Sequence, residues 1–209
     1  MQVGLLGSGN MARGMARGWG QPVLCTDVLP ERAQALAAEV GGEAVASNEE
    51  LARRADLVVL CHKPPQLAEV AREVAPHARA VASILGAVPL ADVKAAYPDR
   101  PVYRFLPSTP VELREGVVVH ATDPSPPDGE AEVLALFGEL GTVVDVADAQ
   151  VDVAMQIGGP PPALAVHLRA EDVERAHAMT AADAVVGDVR SDEPRASSDQ
   201  NIHDVRISV

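Results

Sequence analysis

The feature that most constrains this chain is a glycine turn set between two kinds of apolar pattern. Residues 2–6 are an apolar run that ends in Gly7-Ser8-Gly9-Asn10-Met11-Ala12, and a helical pattern follows as far as Trp19. A second apolar run, 22–26, ends at Asp27. A strand, a Gly-x-Gly-x-x-Ala turn and a helix, with an acid closing the next strand, form the pattern that binds the pyrophosphate of a dinucleotide. The first glycine permits the tight turn. The second lets the backbone approach the phosphates, and the alanine lets the helix pack close to the sheet. Free N–H groups and the positive dipole end of the helix then face the anion. This reading makes Gly7, Ser8, Gly9, Asn10, Met11 and Ala12 the cofactor-binding residues. Its plain alternative is a strand-to-helix turn with no ligand.

Asp27 lies twenty residues after Gly7, where a carboxylate accepts hydrogen bonds from ribose hydroxyls. The cofactor is therefore NADH or NADPH, with a bias to NADH, because a 2′-phosphate would meet a negative charge. Arg32, the nearest downstream cation, softens that bias. Asp27 can also be read as a loop carboxylate, or as the cap of a helix starting at Pro30.

Strand and helix patterns alternate along the rest of the chain. Apolar runs at 56–61, 78–85, 102–106, 116–121 and 142–146 read as strands. Segments 30–40, 48–54, 65–74, 90–97 and 130–140 read as helices, with Pro30 in a first turn and Gly41-Gly42 as a stop. Short links between alternating elements predict an α/β fold, a Rossmann-type doubly wound, mostly parallel sheet. Residues 123–129, rich in Pro and Asp, read as a surface loop. The pattern divides the chain into a dinucleotide-binding domain over 1–147, a short helical segment over 148–186 and a disordered tail over 187–209. Residues 171–184 are the amphipathic helix candidate of the middle segment.

Composition removes other classes. The net charge is −13, from 17 basic and 30 acidic residues, so the chain repels phosphate backbones and nucleic acid is not an expected partner. No apolar stretch approaches the roughly 20 residues of a membrane span. Cys25 and Cys61 are the only cysteines, without a CxxC or a neighbouring histidine cluster, and read as reduced thiols of a cytoplasmic protein. No metal-ligand spacing is present. The expected partner is a small-molecule substrate.

Four segments in order resemble the pyrroline-5-carboxylate reductase family. They are Gly4-Leu5-Leu6-Gly7-Ser8-Gly9-Asn10-Met11-Ala12, then residues 55–66 with Cys61-His62-Lys63-Pro64-Pro65-Gln66, then Arg104-Phe105-Leu106-Pro107-Ser108-Thr109-Pro110, and Phe137-Gly138-Glu139-Leu140-Gly141-Thr142-Val143-Val144-Asp145. His62 stands where the family has Val, and Ser108 where Asn is usual. The resemblance covers residues 1 to about 150. It implies NAD(P)H-dependent reduction of 1-pyrroline-5-carboxylate to proline, by hydride transfer to a cyclic imine, and a homodimer built through a helical C-terminal domain. It places Lys63 and Pro64 with the cofactor, and Lys63, Ser108 and Thr109 at the nicotinamide end. Read without the resemblance, Lys63 is a solvated loop residue, Ser108 and Thr109 are turn residues, and His62 is a partly buried loop histidine.

Past residue 150 the pattern departs from the family. Met155 occupies a threonine slot, and Gly158 and Pro160 occupy serine slots, so three hydroxyls expected near substrate and cofactor are lost. The family's Ser-Pro-Gly-Gly-Thr-Thr segment is not found. A frameshift near codons 155–170, a truncated paralogue and a tail rebuilt for another substrate each fit. The alternative functions are a non-catalytic NAD(H)-binding module and a paralogue with a different small substrate.

Overall fold

The structure, a computed structural model, describes residues 1–158. Gly159, the prolines 160–162, the helix expected over 171–184, the remainder of the segment 148–186 and the tail 187–209 lie outside the described residues.

Eight strands form one sheet in the order β3-β2-β1-β4-β5-β6-β7-β8. They are β1 (Val3–Leu6), β2 (Leu24–Thr26), β3 (Glu43–Ala44), β4 (Leu57–Leu60), β5 (Val81–Ser83), β6 (Val102–Pro107), β7 (Gly116–Thr122) and β8 (Gly141–Ala147). Seven helices accompany them among the described residues: α1 (Asn10–Trp19), α2 (Pro30–Val40), α3 (Asn48–Arg54), α4 (Leu67–Val74), α5 (Leu90–Ala96), α6 (Glu130–Gly138) and α7 (Val151–Gly158). The first six strands are parallel and follow the doubly wound order 3-2-1-4-5-6. The order reverses between β1 and β4, so the ligand crevice of such a sheet lies beyond their C-terminal ends.

The sheet is mostly parallel, as the sequence predicts, with two further features. The strand β3 was not foreseen, because its two residues carry no apolar pattern and one of them is Glu43. The pair β6–β7 is antiparallel, whereas β7–β8 is parallel again. The physical reason is chain length. A parallel crossover needs about a dozen residues or more, usually with a helix. Only residues 108–115 join β6 to β7, and they form a short 3-10 turn, Thr109–Leu113.

Side chains alternate across the sheet as a doubly wound core requires. Leu57 and Val59 of β4 pack with α1, α2 and α6 on one face, and Val58 and Leu60 pack with α3, α4 and α5 on the other. The few aromatic residues are all buried. Trp19 meets Phe137 edge-on at 5.7 Å and donates its indole N–H to the Leu136 carbonyl at 2.9 Å, and Phe137 stacks on Phe105 at 3.9 Å. These contacts fix α1 and α6 on the same face.

The helix α7 docks through Val151 and Ala154 against valines of β7 and β8. A buried guanidinium secures it. Arg104 of β6, 1% exposed, pairs with Asp148 at 2.7 Å and Asp152 at 2.9 Å. The same carboxylates accept the N–H groups of Leu90 (3.0 Å) and Ala87 (3.1 Å).

Two glycines of α1 differ in what surrounds them. A Cβ at Gly18 would lie 2.2 Å from the Val111 carbonyl oxygen, whereas at Gly14 it would meet Val111 Cγ2 at an ordinary 3.5 Å. Gly18→Ala is therefore expected to lower stability by about 2 kcal/mol through overpacking. Gly14→Ala is expected to be neutral or stabilising by up to about 1 kcal/mol, because alanine favours the helix. Urea unfolding of both variants checks the contrast, and equal effects would contradict this packing.

Candidate functional site

The turn after β1 is built by three strand ends. Gly7 N–H extends the β1–β2 ladder by donating to the Thr26 carbonyl at 2.9 Å, and Cys61 N–H donates to the Leu6 carbonyl at 2.8 Å. Gly7 has φ +101°, a region costly for a side chain, and a Cβ there would lie 2.8 Å from the Cys61 carbonyl oxygen. Glycine is thus required at position 7 by the protein itself.

Gly9 is different. It caps α1 with φ −75° and ψ −175°, a conformation any residue adopts. A Cβ at Gly9 would meet no protein atom within 4 Å. Nothing inside the protein asks for glycine there, but a side chain would fill the space in front of the α1 N-terminus. No acidic residue occupies the first turn of α1, so its open N–H groups keep their positive field. This is the geometry that a dinucleotide pyrophosphate fits.

A cleft of about 780 Å³ opens beside this turn, at the reversal of strand order. Gly7 and Gly9 form one part of its wall, Asp27, Val28 and Arg32 another, and His62 and Lys63 a third. Ala12 faces the core, 1% exposed, which lets α1 lie close to the sheet. Asp27 lines the cleft, and each of its carboxylate oxygens also accepts a backbone N–H, from Ser8 at 2.7 Å and Leu29 at 2.9 Å. Asp27 thus lines the cleft and closes a local turn onto Leu29, but it does not cap α2, whose N-cap is Leu29 without a side-chain cap bond. Arg32 is exposed in the cleft wall and forms no ion pair among the described residues.

At the end of β4, Lys63 opens the 3-10 turn Pro64–Gln66, and Gln66 Oε1 accepts the Lys63 N–H at 3.1 Å. Lys63 is exposed and, among the described residues, in no ion pair. His62 Nδ1 lies 2.9 Å from the Lys63 carbonyl, which can only accept, so the ring proton sits on Nδ1. Nε2 is buried without a partner. Burial lowers the His62 pKa, against the opposing hydrogen bond to the Lys63 carbonyl, so the ring is neutral at pH 7. Burial also pushes the Cys61 thiol up, well away from a reactive thiolate.

The residues expected at the nicotinamide end do not share one wall. Lys63 lines the large cleft. Thr109 lines a second hollow of about 450 Å³ with Asn10, Met11, Arg13, Gly14, Arg17 and Glu112. Ser108 lines neither: it is 4% exposed, and its hydroxyl accepts the Val117 N–H at 2.8 Å, tying the end of β6 to β7. Its turn reading describes it better than a ligand contact. Ser47 and Asn48 also border the cleft, from the start of α3. Ser47 Oγ accepts the Glu50 N–H at 3.1 Å, a cap visible in the sequence, but its place at the cleft depends on β3, which was not.

Fold and turn together have the form of a Rossmann-type dinucleotide-binding unit. A family described as "NADP oxidoreductase coenzyme F420-dependent" matches residues 2–87. Pyrroline-5-carboxylate reductase of Pseudomonas aeruginosa is 30% identical over 177 residues, which cover 78% of this chain and 64% of that protein. Pyrroline-5-carboxylate reductase 3 of Mus musculus is 28% identical over 174 residues, covering 76% and 62%. Among solved structures, 1-pyrroline-5-carboxylate reductase from Streptococcus pyogenes superposes with a TM-score of 0.70 at 20% identity, over 93% of this chain and 82% of that one. The Plasmodium falciparum pyrroline carboxylate reductase with NADP bound gives 0.67 at 19%, over 93% and 80%. The chain is similar to pyrroline-5-carboxylate reductases in sequence and shares their fold. It spans less than two thirds of the length of the first relatives it matches: 64%, 45% and 62%. No helix among the described residues is long and apolar enough to cross a membrane.

The two turn glycines are expected to separate in a stability measurement. Gly7→Ala should lose about 2 kcal/mol or more, from positive φ and the clash with Cys61. Gly9→Ala should stay within about 0.5 kcal/mol of the wild type. A large loss at Gly9 by thermal or urea unfolding would contradict the open geometry described above.

Proposed function

We propose that this chain reduces a small cyclic imine, 1-pyrroline-5-carboxylate, to proline, with NADH preferred over NADPH. The observation that carries the dinucleotide half is the open space at Gly9, in front of the α1 N-terminus. The imine half rests on the reductases to which the chain is similar. The dinucleotide-binding unit is residues 1–147.

The nicotinamide cofactor, when bound, supplies the hydride. The chain's own residues have positional tasks. The N–H groups of the first turn of α1 hold an anion. Asp27 accepts ribose hydroxyls at the adenosine end and disfavours a 2′-phosphate, with Arg32 beside it tempering the preference. Lys63 and Pro64, at the end of β4, flank the nicotinamide end, where the exposed Lys63 ammonium offers a partner to a carboxylate. His62, held neutral, donates no proton to the substrate. No strong acid is required, since a protonated imine already accepts hydride. What counts is the orientation of its carbon.

A second reading is favoured by one observation. Met155, Gly158 and Pro160 stand where the family places hydroxyls that meet substrate and cofactor. On that reading the chain binds NAD(H) without turnover.

Loss of NADH absorbance with 1-pyrroline-5-carboxylate as substrate separates the two. The proposal predicts turnover, with kcat/KM higher for NADH than for NADPH. Binding of NADH without turnover would sink the reductase reading and leave the binding module. Gly9→Val should fold like the wild type yet lose NADH affinity by steric exclusion, read as NADH fluorescence. Unchanged affinity would overturn the assignment of the pyrophosphate to this turn.

A further inference from the structure

Ser8 sits in the middle of the glycine turn, yet neither of its donors faces the cleft. Its N–H donates to Asp27 Oδ2 at 2.7 Å, and its hydroxyl donates to the Thr26 carbonyl at 3.1 Å. The residue is 2% exposed. The turn therefore presents a bound phosphate with one backbone donor fewer than its sequence suggests. Asp27 for its part spans two chain segments. One oxygen holds the loop after β1, and the other holds Leu29 N–H at 2.9 Å, at the entry to α2. A carboxylate accepting two backbone N–H groups is a strong, directional tie, because hydrogen bonds to a charged group are about twice as strong as neutral ones.

We propose that Asp27 is a positioning residue for the glycine turn: its carboxylate pins the Ser8 N–H and so presets Gly9 and the first turn of α1 for a phosphate. The proposal deepens the dinucleotide reading above and rests on it for the identity of the ligand. The anion donors are then the N–H groups of Gly9, Asn10 and Met11, at the open end of α1, where helical N–H groups lack intrahelical partners. The Asp27 tie predicts an effect on ligands that carry no adenosine at all, which a ribose-reading carboxylate would not influence. Its sign is informative. Removal of a negative charge near a phosphate would by Coulomb attraction raise affinity. A fall in affinity can only come from loss of the preset geometry.

The test uses Asp27→Asn, which leaves one carbonyl oxygen for two backbone donors, and Asp27→Ser should the first variant not fold. In the unliganded protein, the Ser8 amide hydrogen is expected to exchange roughly tenfold faster in the variant, the equivalent of one lost hydrogen bond to a charged group. Reduced nicotinamide mononucleotide, which has a phosphate and no adenosine ribose, is expected to bind roughly tenfold more weakly, read by its fluorescence. Unchanged exchange at Ser8 would overturn the tie. Unchanged or tighter binding of the mononucleotide, with NADH alone weakened, would show that Asp27 acts only through the ribose and would overturn the positioning role. A wild-type protein that binds neither nucleotide would overturn the dinucleotide reading and the ligand half of this proposal with it. The Ser8 exchange rate would still decide whether Asp27 holds the loop.

Discussion

The close approach of the β1 and β4 ends governs the rest of this structure. At Gly7 the chain must leave the sheet, turn and enter α1 while the Cys61 carbonyl stands where a Cβ would be. Only a residue without a side chain, able to hold φ +101°, allows it. Because the turn is that tight, α1 starts immediately at Asn10 and lies against the sheet through Ala12 and Ala16. Its N-terminus then points into the crevice that the reversal of strand order opens. A looser turn would keep the strands and lose the site.

The aromatic cluster and the Arg104 pairs complete the frame from the other end. Trp19, at the last turn of α1, is locked to α6 through the Leu136 carbonyl and Phe137. Arg104 binds the start of α7 to β6 and to the turn before α5. Removing both carboxylates would leave a buried unpaired charge, an effect of about 3–5 kcal/mol. The far end of the sheet is therefore held by a polar joint within an aliphatic core.

Much of the fold was legible because hydrophobic period and turn residues agree. Pro30 and Gly41 mark both ends of α2 where expected, and Gly41 takes the left-handed conformation. β3 was illegible since Glu43 and Ala44 form only a two-residue strand with no apolar alternation. The reversal at β6–β7 was present in the sequence as loop length, eight residues being too few for a crossover. At the site, the glycine turn and Asp27 follow from spacing and Lys63 from the family resemblance, and all of them line the cleft. What spacing could not tell is where a polar group spends its hydrogen bonds. Ser108, which the resemblance places at the nicotinamide end, accepts the Val117 N–H, and the Ser8 hydroxyl donates to the Thr26 carbonyl. Thr109, one residue further on, opens on a different hollow.

The proposed function depends on a dinucleotide binding at the end of α1, at the switch point. Calorimetric titration of the wild-type protein with NADH tests it without reference to turnover. One site per chain, with a dissociation constant in the micromolar to millimolar range usual for such ligands, is the predicted result. No heat of binding for NADH or NADPH, from protein shown to be folded, would contradict it.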